Sequence, residues 1–315
     1  MAAAPSGEQL ELALGDQRLV VVEVGGGLRS YAAGGRAVLD GYAASELCGS
    51  GRGQLLSPWP NRIEDGCYDF GGRTHRLPLN EPENRNAIHG LVRWSAWIVS
   101  ERSPDRIALE HTLHPQPGYP FTLGLRVEYA LAERGLSVRT TAVNLGDEPC
   151  PYGCGAHPYL ATGLPTIDTA ILRVPARTRL LSDGRSLPCG RVDVAGSEFD
   201  FREPRAIGAT VLDTCFTDLE RDGDGRARVE LRDPDGSGAT LWVDDRHGFV
   251  MVFSGDPLPD VARRSLAVEP MTCPPNAFRT GEAVVSLQPG DAFTSEWGIE
   301  PRGSSRQGDA GDSPA

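Results

Sequence analysis

The chain has 315 residues, 39% of them apolar, with 31 basic against 43 acidic side chains and a formal charge of −12. That is ample for a sizeable core, since all-β domains run to roughly 200–250 residues. The acidic balance excludes an electrostatic footprint for nucleic acid or an anionic membrane. Every basic residue is arginine, so Schiff-base chemistry, which needs a lysine amine, is excluded too.

In chain order, Met1–Glu8 has neither a basic region nor a long apolar run, and no signal peptide is expected there. No later run approaches the roughly 20 apolar residues of a membrane span. The first strand signal is Arg18–Val24, followed by Arg106–Leu113. In Leu123–Leu131 the residues Leu123, Leu125, Val127, Tyr129 and Leu131 share one face, while Arg126 and Glu128 take the other. That period of two predicts a half-buried strand. Ala132-Glu133-Arg134-Gly135 reads as a hairpin turn into a second strand, Gly135–Asn144. Further short runs lie at Ile171–Val174, Val229–Leu231, Ala239–Val243 and Phe249–Phe253. No window carries a sustained helical stripe with caps. The expectation is an all-β, antiparallel chain. Residues 1–301 read as one domain and 302–315 as a disordered tail with nothing to bury.

Cofactor signatures are missing. There is no GxGxxG, P-loop or GxSxG. Asp222-Gly223-Asp224-Gly225 lacks the remaining ligands of a calcium loop and reads as a turn. The seven cysteines, Cys48, Cys67, Cys150, Cys154, Cys189, Cys215 and Cys273, contain no CxxC pair. They predict reduced structural thiols, a cytoplasmic setting and no metal site.

Three segments place titratable side chains in apolar or turn-rich surroundings. They are Leu55–Ile63 with Asn86–Gly90, then Tyr152–Leu160, then Ala267–Phe278. Individually each has a plain structural explanation. His89 before glycine could be a hydrogen-bonded loop residue, His157 is held extended by Pro158, and Glu269 or Arg62 could be half of an ion pair.

In their order, the segments resemble the aldose 1-epimerase (galactose mutarotase-like) family. The resemblance runs from about Leu55 to Glu300. It rests on Pro58-Trp59-Pro60-Asn61-Arg62-Ile63 with Ile88-His89-Gly90, on Val194–Arg202 with Asp213-Thr214-Cys215-Phe216-Thr217, and on Glu269-Pro270-Met271-Thr272 with Asn276-Ala277-Phe278. It implies a large two-sheet β-sandwich with a sugar groove on one concave sheet. It further implies Glu269 as general base, His157 as general acid and His89 as a second active-site histidine. Asn61, Arg62 and Asp213 would bind the sugar, and no cofactor would be needed. Trp59 or Trp94 could supply an apolar face for the sugar, but core packing is the expected role of both. Gly155-Ala156-His157-Pro158-Tyr159 departs from the Asn-His form of galactose-specific members, which leaves the sugar open. Two other readings stand beside the mutarotase: a hexose-6-phosphate 1-epimerase, which needs converging arginines, and a non-catalytic carbohydrate-binding module. A glycosidase would need an acidic pair and would leave the histidines unexplained. The oligomeric state has no signature in the sequence.

Overall fold

Alternation of side chains dictates the sheets. The segment Leu123–Ala132 is a strand whose residues are buried and half-buried in turn, in a computed structural model that describes residues 4–258 and 261–303. It pairs with Gly135–Asn144 from Leu123↔Asn144 to Ala132↔Gly135, so Glu133 and Arg134 form a two-residue turn. The runs Arg106–Leu113 and Phe249–Phe253 are strands with those bounds. Those at Arg18, Ile171, Val229 and Ala239 are strands with slightly shifted ends. Among the described residues, helix is confined to Ala277–Thr280 and the 3-10 turn Ile167–Thr169.

Two large antiparallel sheets dominate. One has nine strands, with Ala292–Arg302 between Gly135–Asn144 and Gly238–Val243. The other has eight, and its middle runs Ala176–Ser182, Asp213–Leu219, Phe249–Phe253, Ser265–Met271, Gly155–Ala156. Val127, Val138, Leu241 and Ile299 from the first share one core with Phe216, Val250, Val252 and Val268 from the second. This is the two-sheet β-sandwich. A four-stranded N-terminal sheet adds Leu10, Leu12, Leu19 and Tyr31 to the same core.

The other face of the eight-stranded sheet positions the site. Val250 and Val252 point to the core, so Met251 and Phe253 face away from it. The register pairs Cys215 with Met251 and Met251 with Glu269. The next row on that face pairs Asp213 with Phe253. A slip of one residue in Ser265–Met271 would turn Glu269 into the core.

Arg302, expected to begin the tail, pairs with Gly238 at the end of the last strand. The rest of that tail, 304–315, lies outside the described residues. Asp222–Gly225 is a turn whose two carboxylates bind Arg228. All seven cysteines are free, and Cys189 alone is exposed.

Candidate active site

Glu269 stands on the outward face of a central strand and is only 2% exposed. His157 follows Gly155–Ala156, which is the neighbouring strand. Its backbone N–H donates to Gln54 and its carbonyl accepts from Gly53. His157 Nε2 lies 3.4 Å from Glu269 Oε1. The imidazole stacks on Tyr159 at 4.9 Å and 10°. Gly51 lies across the ring in the left-handed region, with φ of 73°, and a Cβ there would sit 2.9 Å from His157 Cδ2.

His89 and Asn61 lock each other. His89 N–H donates to the Asn61 carbonyl at 2.9 Å, and Asn61 N–H donates to His89 Nδ1 at 3.2 Å. Both residues have positive φ. Because Nδ1 accepts, neutral His89 carries its proton on Nε2. Gly90 makes this loop possible, since a Cβ would stand 2.1 Å from the Ser57 carbonyl oxygen. The His89 and His157 rings meet edge to face at 5.3 Å.

Arg62 begins the strand Arg62–Glu64, which pairs with Asn86–Ile88. Asn276 clips that strand in place, donating its N–H to the Arg62 carbonyl and accepting from Glu64 N–H on Oδ1. Phe278 packs on Trp59 and Tyr68. The Asn276-Ala277-Phe278 motif therefore supports the site from behind.

These side chains open into one groove of about 540 Å³, which Asn61, Arg62, His89, His157, Asp213 and Glu269 all line. Every site residue expected from the sequence is brought together there. Four further residues, to which the motifs assign no site role, also contribute. Glu81 takes the Arg62 fork, accepting from Nε at 2.9 Å and Nη2 at 2.9 Å, and also holds the Asn86 amide. Arg93 lines the groove, as does Tyr159. Trp94, expected in the core, is 53% exposed at the groove instead, whereas Trp59 is buried as expected. The spacing of Arg93-Trp94 behind His89 was the available signal, but nothing local tells an outward tryptophan from a core one. The motif segment Val194–Arg202 does not line the groove, and its Arg202 forks onto Asp200.

Burial governs the electrostatics. It pushes Glu269 well above the ordinary carboxylate range, the Asp213 charge adds to this, and Arg62 opposes it. Burial, reinforced by Arg93 and Arg52, lowers His157 to about 3. His89 is likewise held well below its ordinary value by burial and by its neighbour His157. Asp213 is reachable by water yet crowded by the groove walls, and that desolvation raises it against the pull of Arg62. Both members of the Glu269–His157 pair are thus driven toward their neutral forms. Glu269 Oε2 and His157 Nδ1 are buried without a hydrogen-bond partner.

The ligating atoms of His89, His157 and Glu269 lie within 4.8 Å of one another. Two imidazoles and a carboxylate are a donor set that zinc can use. Here His89 Nδ1 is already taken by Asn61 N–H, so only its Nε2 faces that role.

The fold is a two-sheet antiparallel β-sandwich with a groove of titratable side chains on one sheet, and comparison supplies the family. The family model "Aldose 1-epimerase" matches residues 8–300. The chain is 35% identical over 286 residues, 90% of each protein, to the uncharacterised protein YihR of Escherichia coli K12. It is 27% identical over 196 residues, 57% of this chain and 52% of the relative, to galactose mutarotase of Mus musculus. The solved GalM/aldose epimerase homologue from C. elegans superposes with a TM-score of 0.84 at 18% identity, covering 95% of this chain and 99% of that one. This protein belongs to the aldose 1-epimerase family.

Proposed function

We propose that this protein is an aldose 1-epimerase that interconverts the α and β anomers of a hexose, with residues 1–301 acting as one domain. The observation that carries this reading is the buried Glu269–His157 couple at 3.4 Å beside the groove, with Glu269 Oε2 left without a partner. The name of the mouse relative, galactose mutarotase, supports the same reaction.

Anomer exchange requires the C1 hydroxyl proton to leave while the ring oxygen gains one. The ring opens to the aldehyde, the C1–C2 bond rotates, and the same transfers run backwards on reclosure. A carboxylate and an imidazole suffice, and such general acid–base help is worth about 10²–10⁴-fold. In the proposed sequence, sugar hydroxyls satisfy the unpartnered Glu269 carboxyl and, with Arg62, favour its carboxylate form. Its proton passes to His157 Nε2. Glu269 then takes the C1 hydroxyl proton and His157 protonates the ring oxygen. His89, a donor through Nε2, steadies the oxygen at C1. Asp213, Arg62 and Asn61 orient the ring hydroxyls, with Arg62 aimed by Glu81. The free thiols support a reducing, cytoplasmic setting.

Anomer exchange followed by saturation-transfer NMR on a panel of aldoses tests this. Acceleration proportional to protein and lost in Glu269→Gln supports it. Sugar binding by a folded sample without any acceleration would make the protein a carbohydrate-binding module instead.

A further inference from the structure

We propose that the groove is built for a sugar bearing a negatively charged substituent, held by Arg93 with Arg52 behind it. The inference rests on the epimerase reading for its chemistry but not for its binding.

The charges along the groove are unevenly matched. Arg62 is satisfied by the two-pronged Glu81 bond. Arg93 has no such partner: its side chain makes one long hydrogen bond, Nη1 to Gln54 Oε1 at 3.3 Å, and among the described residues it meets no carboxylate. Arg52 is 6% exposed and its buried Nε has no partner. The single carboxylate near Arg52, that of Asp40 at 3.4 Å, already accepts from Arg264 at 3.0 Å and from Ser265 at 2.7 Å. Cys48 beside them offers no anion, because burial pushes its thiol up to about 11. Arg52 therefore has a share of one carboxylate and the Tyr159 ring 4.7 Å from its guanidinium, and Arg93 has no carboxylate among the described residues, in a chain whose net charge is −12.

Burying guanidinium without a counter-charge is costly. A ligand anion removes that cost, and guanidinium suits the flat, several-oxygen face of phosphate, carboxylate or sulfonate. A neutral hydroxyl gives a weaker return. The groove is correspondingly polarised. Glu269 feels Asp213 and Arg62, whereas His157 feels Arg93 and Arg52. An anion at Arg93 would offset the two positive charges that oppose protonation of His157. Binding and the acid step would then be coupled. Trp94, adjacent to Arg93, offers an apolar face to the same ligand.

The test uses matched hexoses carrying hydroxyl, phosphate, carboxylate or sulfonate at C6. Anomer exchange is measured by NMR and binding by calorimetry, on the wild type, Arg93→Gln and Arg93→Lys. The expected result is at least one charged sugar favoured in kcat/KM by about tenfold or more over its neutral parent. That preference should fall by about tenfold in Arg93→Gln and be partly restored in Arg93→Lys. The identity of the favoured sugar distinguishes the three anions. Equal kcat/KM for neutral and charged sugars in the wild type would overturn the proposal, as would an Arg93→Gln variant that weakens both alike. Arg93-dependent binding of a charged sugar without anomer exchange would uphold the anion site and remove the epimerase reading.

Discussion

Glu81 grips Arg62 through both carboxylate oxygens while its Oε2 also accepts from the Asn86 amide. Arg62 is thereby fixed in one orientation at the groove, which Glu81 also lines. Burial works to raise the Glu81 carboxyl, but these bonds outweigh it and hold it below the ordinary range. A depressed carboxylate contributes stability above its unfolded pKa and loses it as pH falls through the folded value. Glu81→Gln should cost about 2 kcal/mol at pH 7 and raise KM more than it lowers kcat. Denaturant midpoints of the two proteins should converge below about pH 4; a constant gap down to pH 3 would show that packing, not the ion pair, is what was lost.

Glu269 presents the opposite sign. Its folded pKa is raised, so the stability tied to its protonated form is fully present below the unfolded value and is lost as pH rises through the folded one. Glu269→Gln should therefore raise the melting temperature at pH 8, an advantage that fades towards pH 4, while turnover falls at least about 10²-fold. A melting temperature unchanged at both pH values would contradict the burial argument.

His157 should stay neutral across the physiological range in the ligand-free protein. With a folded value near 3, its ring signals should not titrate between pH 8 and 5. Its depressed value means that stability present above the unfolded pKa of about 6.5 is lost as pH falls towards the folded one. An NMR titration of its ring carbons with a midpoint above pH 6 would refute this, and with it the account of how Arg52 and Arg93 act on the ring.

Trp94 gives an optical handle. The other four of the five tryptophans, Trp59, Trp97, Trp242 and Trp297, are buried. Sugar binding should therefore change the emission chiefly through Trp94, and Trp94→Phe should abolish that change. Trp94→Ala should raise KM about fivefold, an effect near 1 kcal/mol, with little change in melting temperature. A large fall in melting temperature would return Trp94 to a packing role.

Much of this was legible in the chain itself, for identifiable reasons. Leu123–Leu131 declares a strand because one face is core and the other solvent, so alternation survives in the sequence. Ser265–Met271 does not alternate, since all seven of its residues are buried. Glu269 stood out there only as an acid among apolar neighbours. The site residues Arg62, His89, His157, Asp213 and Glu269 were found through ordered motifs, and they do converge. Glu81 and Arg93 were missed because their roles depend on what the fold brings opposite them. An acid in a turn-rich stretch looks the same whether it faces water or an arginine. Trp94 was assigned to the core for the related reason that composition carries no direction.

The strand Ala292–Arg302 lies in the middle of the nine-stranded sheet, bonded to Gly135–Asn144 on one side and Gly238–Val243 on the other. Among the described residues the two halves of that sheet meet only through this segment, which is also the last of the described strands in chain order. On the ribosome, earlier hairpins can form, but the sheet has a gap until these residues clear the exit tunnel. Its two unpaired edges remain open for that interval. Completion of the sandwich therefore waits for residues 292–302, and a ribosome stalled before residue 292 would hold a chain that has hairpins but no finished nine-stranded sheet.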